Sequence, residues 1–503
     1  MMLQSRLDNR TRFAFGAGAM PETLKNSAWD MFVLFYFTQV LGLSGTLAGL
    51  AIGIALVVDA VIDPSIGSYS DGMRSGRFGR RQTLMAFAVV PFAISFSLLF
   101  SPPAGLSETA LFAWLVIFAI ICRSAISLFT IPFYALGVEL SRNRLERPVL
   151  AGFKQISTAI GRIGMPFFAF TFFFAATPAF PNGQLNPAAY PKLGLSLSIV
   201  AAVLMVFCIY GTNRRSKDNE RGAAARTQQK PFDLVTTFKQ IIDAFRCTPN
   251  VRWQMGLAVF MFISLGIVNV YTLHLTTYYW RLTPEDIRNV SIALSPGGLI
   301  AAFTARYYVP LFDKKKLMMS CIFIYGVVVL VPVLAPLTPF FPRPGDALQV
   351  PLLIGFKFVA GLAYGAFMIT SSTAASDVAD ELELNAGAPR QALMSSFTFF
   401  ALGAASALVN IAAGIFLDLI AFPAGAAVNA VPHDMVAKLA IFAAVVIGVA
   451  VTTVIFFISR LSISRERQDE INAALERRYA NEKAASPEES AESDMPPLAA
   501  PAQ

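Results

Sequence analysis

Residues 57–67 read Val-Val-Asp-Ala-Val-Ile-Asp-Pro-Ser-Ile-Gly, two carboxylates four positions apart in an otherwise apolar run. On an α-helix, residues i and i+4 share a face, so Asp59 and Asp63 would lie about 6 Å apart. The surrounding run, 46–69, has the roughly 20 residues that a helix needs to cross a hydrocarbon core of about 30 Å. A charged side chain inside that core costs at least about 2.5 kcal/mol. Two neighbouring carboxylates also cannot both stay ionised in a dry site without a cation or proton between them. The stretch therefore reads as a membrane helix carrying an ion or proton site. The bland alternative is that one acid caps or kinks the helix at Pro64.

Outward from this helix, eleven more apolar stretches of spanning length follow, at about 26–43, 82–101, 110–138, 150–176, 193–210, 254–279, 290–311, 317–337, 351–374, 391–420 and 437–459. The 503-residue chain is 55% hydrophobic and only 14% charged, against about 25% in a soluble domain, so lipid is its solvent. The runs lack the dyad alternation of a barrel, which leaves an all-α membrane protein of twelve transmembrane helices. A polar, basic segment at 212–250 divides it into six-helix bundles, 1–211 and 251–460. Phe232, Val235, Phe238, Ile242 and Phe245 give that linker one apolar face, suited to a helix on the membrane surface or to a solvated linker helix. The tail, 461–503, reads as a short polar helix and then disorder. Asp71-Gly-Met-Arg after span 2 echoes Asp313-Lys-Lys-Lys after span 8, and such a repeat predicts a site between the halves near the midplane.

The net charge of +8 comes from Lys and Arg in alternate loops rather than in one patch, which argues against nucleic acid. By the positive-inside rule both termini are expected in the cytoplasm, with the chain in a bacterial inner membrane. Residues 1–10 lack a signal-peptide core and cleavage site, so the first span is expected to be retained. The four Cys form no disulfide or metal spacing. There is no phosphate-binding loop for ATP and no catalytic triad or HExxH motif, so neither an ATP-driven pump nor an enzyme is expected.

Intramembrane polar groups are the functional candidates. Ser127 could add a neutral oxygen to Asp59 and Asp63, since hard cations take oxygen ligands. Asp30, mid-span, is expected to contact substrate or to pair with Arg123 or Lys154. Tyr134 stands near them as an aromatic surface. His274 is a candidate for proton transfer, and Lys357 for snorkelling towards its membrane surface. The acidic stretch 376–391 reads as a loop facing the basic Arg142–Arg147 loop, with Asp377 and Arg147 as a closing ion pair.

The stretches DAVIDPSIGSYSDGMRSGRFGRRQTLM (59–85), IPFYALGVEL (131–140), ERPVLAGFK (146–154) and SDVADELELNAGAPRQ (376–391) resemble the glycoside-pentoside-hexuronide:cation symporters of the major facilitator superfamily. The resemblance spans both halves. It implies alternating access, a coupling cation at Asp59, Asp63 and Ser127, a basic residue at Lys154, and a substrate cavity touching spans 1, 4, 5, 10 and 11. Ile62 stands where the family's sodium-binding Asn would be, which favours a proton. Thr23 and Thr130 replace acidic galactoside contacts and Ala401 replaces a Lys, so an ordinary galactoside is disfavoured. The expected substrate set is Asp30, Thr23, Arg123, Thr130, Tyr134, Lys154 and His274. The expected cytoplasmic gate is Asp71, Arg77, Arg80, Arg147, Asp377 and Arg390. The expected function is H+- or Na+-coupled symport of a sugar or glycoside-like solute by a monomer without a cofactor. The alternatives are a carrier of an amphiphilic or aromatic organic anion or lysolipid, and a non-transporting sensor.

Overall fold

A computed structural model describes residues 7–72, 80–140, 146–221, 248–338, 341–386, 391–462 and 465–485, and all regular structure among them is helical. The first half comprises α1 (Asn9–Ala17), α2 (Met20–Ala28), α3 (Gly45–Gly72), α4 (Arg80–Leu99), α5 (Glu108–Leu140), α6 (Glu146–Phe168) and α7 (Ala189–Arg221). The second comprises α8 (Pro249–His274), α9 (Pro284–Ile292), α10 (Leu294–Tyr308), α11 (Lys314–Leu334), α12 (Gln349–Ala386), α13 (Gln391–Leu419) and α14 (His433–Arg460), and α15 (Arg465–Ala485) follows.

Ten described helices are long and apolar enough to cross a membrane. The other two spans are broken ones. In the first, α1 and α2 continue through single π-helical turns at Trp29–Val33 and Tyr36–Val40; in the eighth, α9 runs into α10. A π turn loosens the i→i−4 ladder and often marks a functional position; here one of them carries Asp30. Large apolar side chains such as Phe87, Phe303 and Leu419 remain exposed, as a lipid-facing perimeter requires.

Two sequence expectations are corrected. The first span starts well before residue 26, because Glu22 and Lys25 belong to α2 and turn inward rather than marking a loop. The acidic stretch 376–386 is no loop: α12 runs through it, with its carboxylates tied to neighbours. Asp377 binds Lys314 at 2.6 Å, Glu381 accepts from Asn250 at 2.7 Å, and Asp380 accepts from Gln468 of α15 at 3.2 Å. The predicted linker helix at 232–245 lies outside the described residues.

The halves meet on the face opposite the chain ends. There α3 and α13 cross so closely that a Cβ on Gly45 would stand 2.4 Å from the Gly414 carbonyl, and one on Gly414 2.0 Å from the Gly45 carbonyl. Asp418 at the end of α13 caps α3 across the interface, accepting from Ser44 Oγ at 2.6 Å and from the Gly45 and Thr46 amides at 2.7 Å. The Gly425 amide donates to the Gln39 carbonyl at 2.8 Å, and Gln184 bonds Thr277 at 3.0 Å. On the face bearing the chain ends, the described ion pairs stay within a half: Arg12–Glu146 and Arg81–Glu139 in the first, Lys314–Asp377 in the second. Among the described residues, the interlocked contacts between the halves lie on the face opposite the chain ends, and no ion pair joins the halves on the face that bears them. Asp418→Ala should cost about 1–2 kcal/mol of stability, read as a lower thermal-unfolding midpoint in detergent, with Asp418→Asn intermediate because it keeps one acceptor.

Candidate ion and substrate site

At mid-depth in the first half, α3 presents Asp59 and Asp63 to Ser127 and Arg123 of α5. Arg123 forms an ion pair with Asp59, with its two donors at 2.5 and 3.0 Å from one carboxylate oxygen, and its guanidinium lies 5.3 Å from the centre of the Trp29 ring. Ser127 Oγ donates to the other Asp59 oxygen at 3.2 Å and also lies close to Asp63. Asp63 Oδ1 is buried without a partner among the described residues. A buried carboxylate oxygen with no donor is costly unless something transient satisfies it, so this atom is the open valence of the site.

Arg123 therefore holds Asp59 instead of pairing with Asp30. Lys154 is not the partner of Asp30 either; its ammonium lies 4.8 Å from the centre of the Tyr134 ring, and the Tyr134 hydroxyl donates to Glu22. Asp30 itself is exposed, with Lys25, Arg123 and Arg162 as its nearby charges. Arg162 on α6 is also exposed and lies near Tyr364 of α12, in the other half. An exposed acid and an exposed guanidinium at mid-bundle depth need water, and the nearness of Arg162 to Tyr364 puts them along a cleft between the halves.

Other candidates fall elsewhere. Thr23 is buried, donates to its own helix at Ala19 O and packs against Gly161, so it serves the α2–α6 contact. Thr130 is buried one turn beyond Ser127. His274 is fully enclosed among aromatic rings at the closed face and does not border the cleft. Lys357 lines an apolar cavity inside the second half with Val268, Leu275, Trp280 and Val329. Asp377 pairs with Lys314 rather than Arg147. Arg77 and Arg390 lie outside the described residues, as do the side chains of Asp71 and Arg80.

Two residues escaped the sequence reading. Lys25 is only 3% exposed, beside Asp59, Arg123 and Glu22, and makes no hydrogen bond to a described residue. Its signal was present as a Lys three and five residues from Glu22 and Asp30, hidden by placing the first span too late. Arg162, a guanidinium inside span 5, could have been found as another intramembrane charge.

Residues 14–465 match the family described as MFS/sugar transport protein, and the chain belongs to that family of membrane transporters. It is 26% identical over 270 residues to the Synechocystis symporter sll1374, covering 52% of this chain and 48% of that protein. It is 24% identical over 284 residues to the Escherichia coli inner membrane symporter YicJ, covering 54% and 58%. These alignments span about half the length of the curated relatives. Among solved structures, the nucleoside transporter NupG superposes with a TM-score of 0.61 at 13% identity over 91% of this chain and all of that one, which establishes the shared fold.

Removing one partner of the buried ion pair strands the other charge, a loss of about 3–5 kcal/mol. Arg123→Gln and Asp59→Asn should each destabilise strongly, and the double variant should be more stable than the sum of the single losses predicts. A double-mutant cycle in thermal or denaturant unfolding checks this.

Proposed function

We propose that the protein is a proton-coupled symporter of a small polar, sugar-like solute, with Asp63 as the site of the coupling ion. One observation carries the reading: Asp59 is neutralised by Arg123, while the adjacent Asp63 keeps a buried oxygen with no donor. A proton satisfies that oxygen by itself. A metal cation would need several oxygen ligands, and the site offers little beyond Asp63 and Ser127, with the Arg123 charge close by on Asp59. The solute would bind in the cleft, against Asp30 and Arg162 of the first half and Tyr364 of the second.

Alternating access supplies the coupling. Ionised Asp63 keeps a buried oxygen with no donor, which disfavours a dry, closed state; a proton neutralises that carboxylate, and substrate bridging the halves favours closure. By the positive-inside rule, the Lys/Arg-rich loops support an orientation in a bacterial inner membrane with the chain-end face in the cytoplasm, in which the cleft faces inward.

A second reading, transport of an organic anion, has a specific support. Lys25 and Arg123 balance Asp59 and Asp63 when both acids are ionised, so a proton on Asp63 leaves one positive charge in excess. Arg162 adds a cleft-facing guanidinium with no hydrogen-bond partner among the described residues, a natural contact for a carboxylate.

In proteoliposomes with an imposed inward proton gradient, labelled mono- and disaccharides and their uronic acids should accumulate. A sodium gradient of equal size should do less. Asp63→Asn should lose accumulation against a gradient while retaining substrate exchange at equilibrium. Undiminished accumulation by Asp63→Asn would overturn the assignment.

A further inference from the structure

His274 ends α8 where the helix widens into the π turn Leu275–Tyr279, at the centre of the closed face. Its side chain has no exposure, and neither ring nitrogen makes a hydrogen bond among the described residues. The Val270 carbonyl, one turn back, lies near the ring without reaching hydrogen-bond geometry. Three rings meet the imidazole near-perpendicularly: Phe35 of the first half at 5.0 Å between centres, Tyr271 at 5.8 Å and Phe422, after α13, at 6.2 Å.

The polar groups around this cage are committed elsewhere. The Tyr271 hydroxyl donates to Ala413 O at 2.8 Å, and the Tyr278 hydroxyl donates to Gln39 of the first half at 3.3 Å. The titratable groups facing the ring are thus the two phenols, Tyr271 from its own helix and Tyr278 from the π turn. The first span contributes Phe35 and the segment after α13 contributes Phe422, neither ionisable. No carboxylate or cation faces it among the described residues.

An imidazolium in this cage would face no anion among the described residues, with only the Val270 carbonyl nearby and short of hydrogen-bond geometry, and burying an unpaired charge in such surroundings is strongly unfavourable. The closed face therefore accommodates only neutral His274. Its wall is made of both halves, since Phe35 and Gln39 come from the first span. Parting of the halves on this face would withdraw those residues and admit water to the ring.

We propose that His274 is a proton-operated latch on this face, a second protonation site separate from Asp63: neutral whenever the face is closed, and protonated by external acid only when it is open. Proton binding to one state alone shifts the equilibrium towards it. A hydrated imidazole titrates near pH 6.5, so lowering the external pH from 7.5 to 5.5 should favour the open-outside state about tenfold through His274. External acid would thus deliver the coupling proton and also hold the outer side open until His274 releases its own.

The test is double electron–electron resonance on the full chain in nanodiscs, with spin labels on Thr109→Cys and Leu348→Cys at exposed positions of that face and Cys247 replaced by Ser. An Asp63→Asn background removes titration at the coupling site. In that background the long-distance population should rise about tenfold relative to the short one between pH 7.5 and 5.5. His274→Phe, which fills the cage with an unionisable ring, should abolish the change; His274→Leu replaces it if the Phe variant does not fold. A pH-independent distribution with His274 intact, or an equal response without it, overturns the latch. Because Asp63 is already neutral there, either result leaves the coupling assignment standing.

Discussion

The ion pair between Arg123 and Asp59 is the constraint on which the first half is organised. A guanidinium and a carboxylate this deep in a bundle are tolerable together and very costly apart. The pair fixes α5 against α3, and Trp29 covers it from the first span. Asp63, one turn along α3, is then left as the acid with no ion-pair partner and one buried oxygen without a donor among the described residues. Had both carboxylates been matched by permanent partners, the cluster would be structural only. One satisfied and one unsatisfied acid on the same face is the asymmetry that a reversible ion site needs, and Ser127 between them links the two.

The sequence made the helical architecture and the Asp59–Asp63 site legible because both follow from local rules: spanning length, and the cost of charge in hydrocarbon. It did less well wherever a charge has a non-local partner. For Asp30 the sequence leaves substrate, Arg123 and Lys154 open as partners, because spacing says nothing about which helix lies across the bundle; Arg123 in fact holds Asp59. Lys25 and Glu22 fall outside the apolar run 26–43, yet they are buried and half-buried in α2 because other helices supply their surroundings. The acidic run 376–386 has the composition of a solvated loop; it stays helical because Lys314, Asn250 and Gln468 meet its carboxylates. Arg147 was matched to Asp377 by pseudo-symmetry, whereas the symmetry operates within each half.

That symmetry bears on how the cleft opens and closes. Arg81 at the start of the third span holds Glu139 at the end of the fourth, and Lys314 at the start of the ninth holds Asp377 at the end of the tenth. Equivalent positions carry equivalent pairs, and neither pair crosses between halves. Such bonds stiffen each bundle at its chain-end face without resisting the parting of the two. The opposite face is built differently: glycine backbones in contact, a carboxylate capping a helix of the other half, and an apolar cage around one imidazole. Dense packing of this kind is either made or broken, with little in between. Two bundles joined in this way are suited to part as rigid bodies, and on the proposed mechanism the ionisable groups at mid-depth would decide when that parting is permitted.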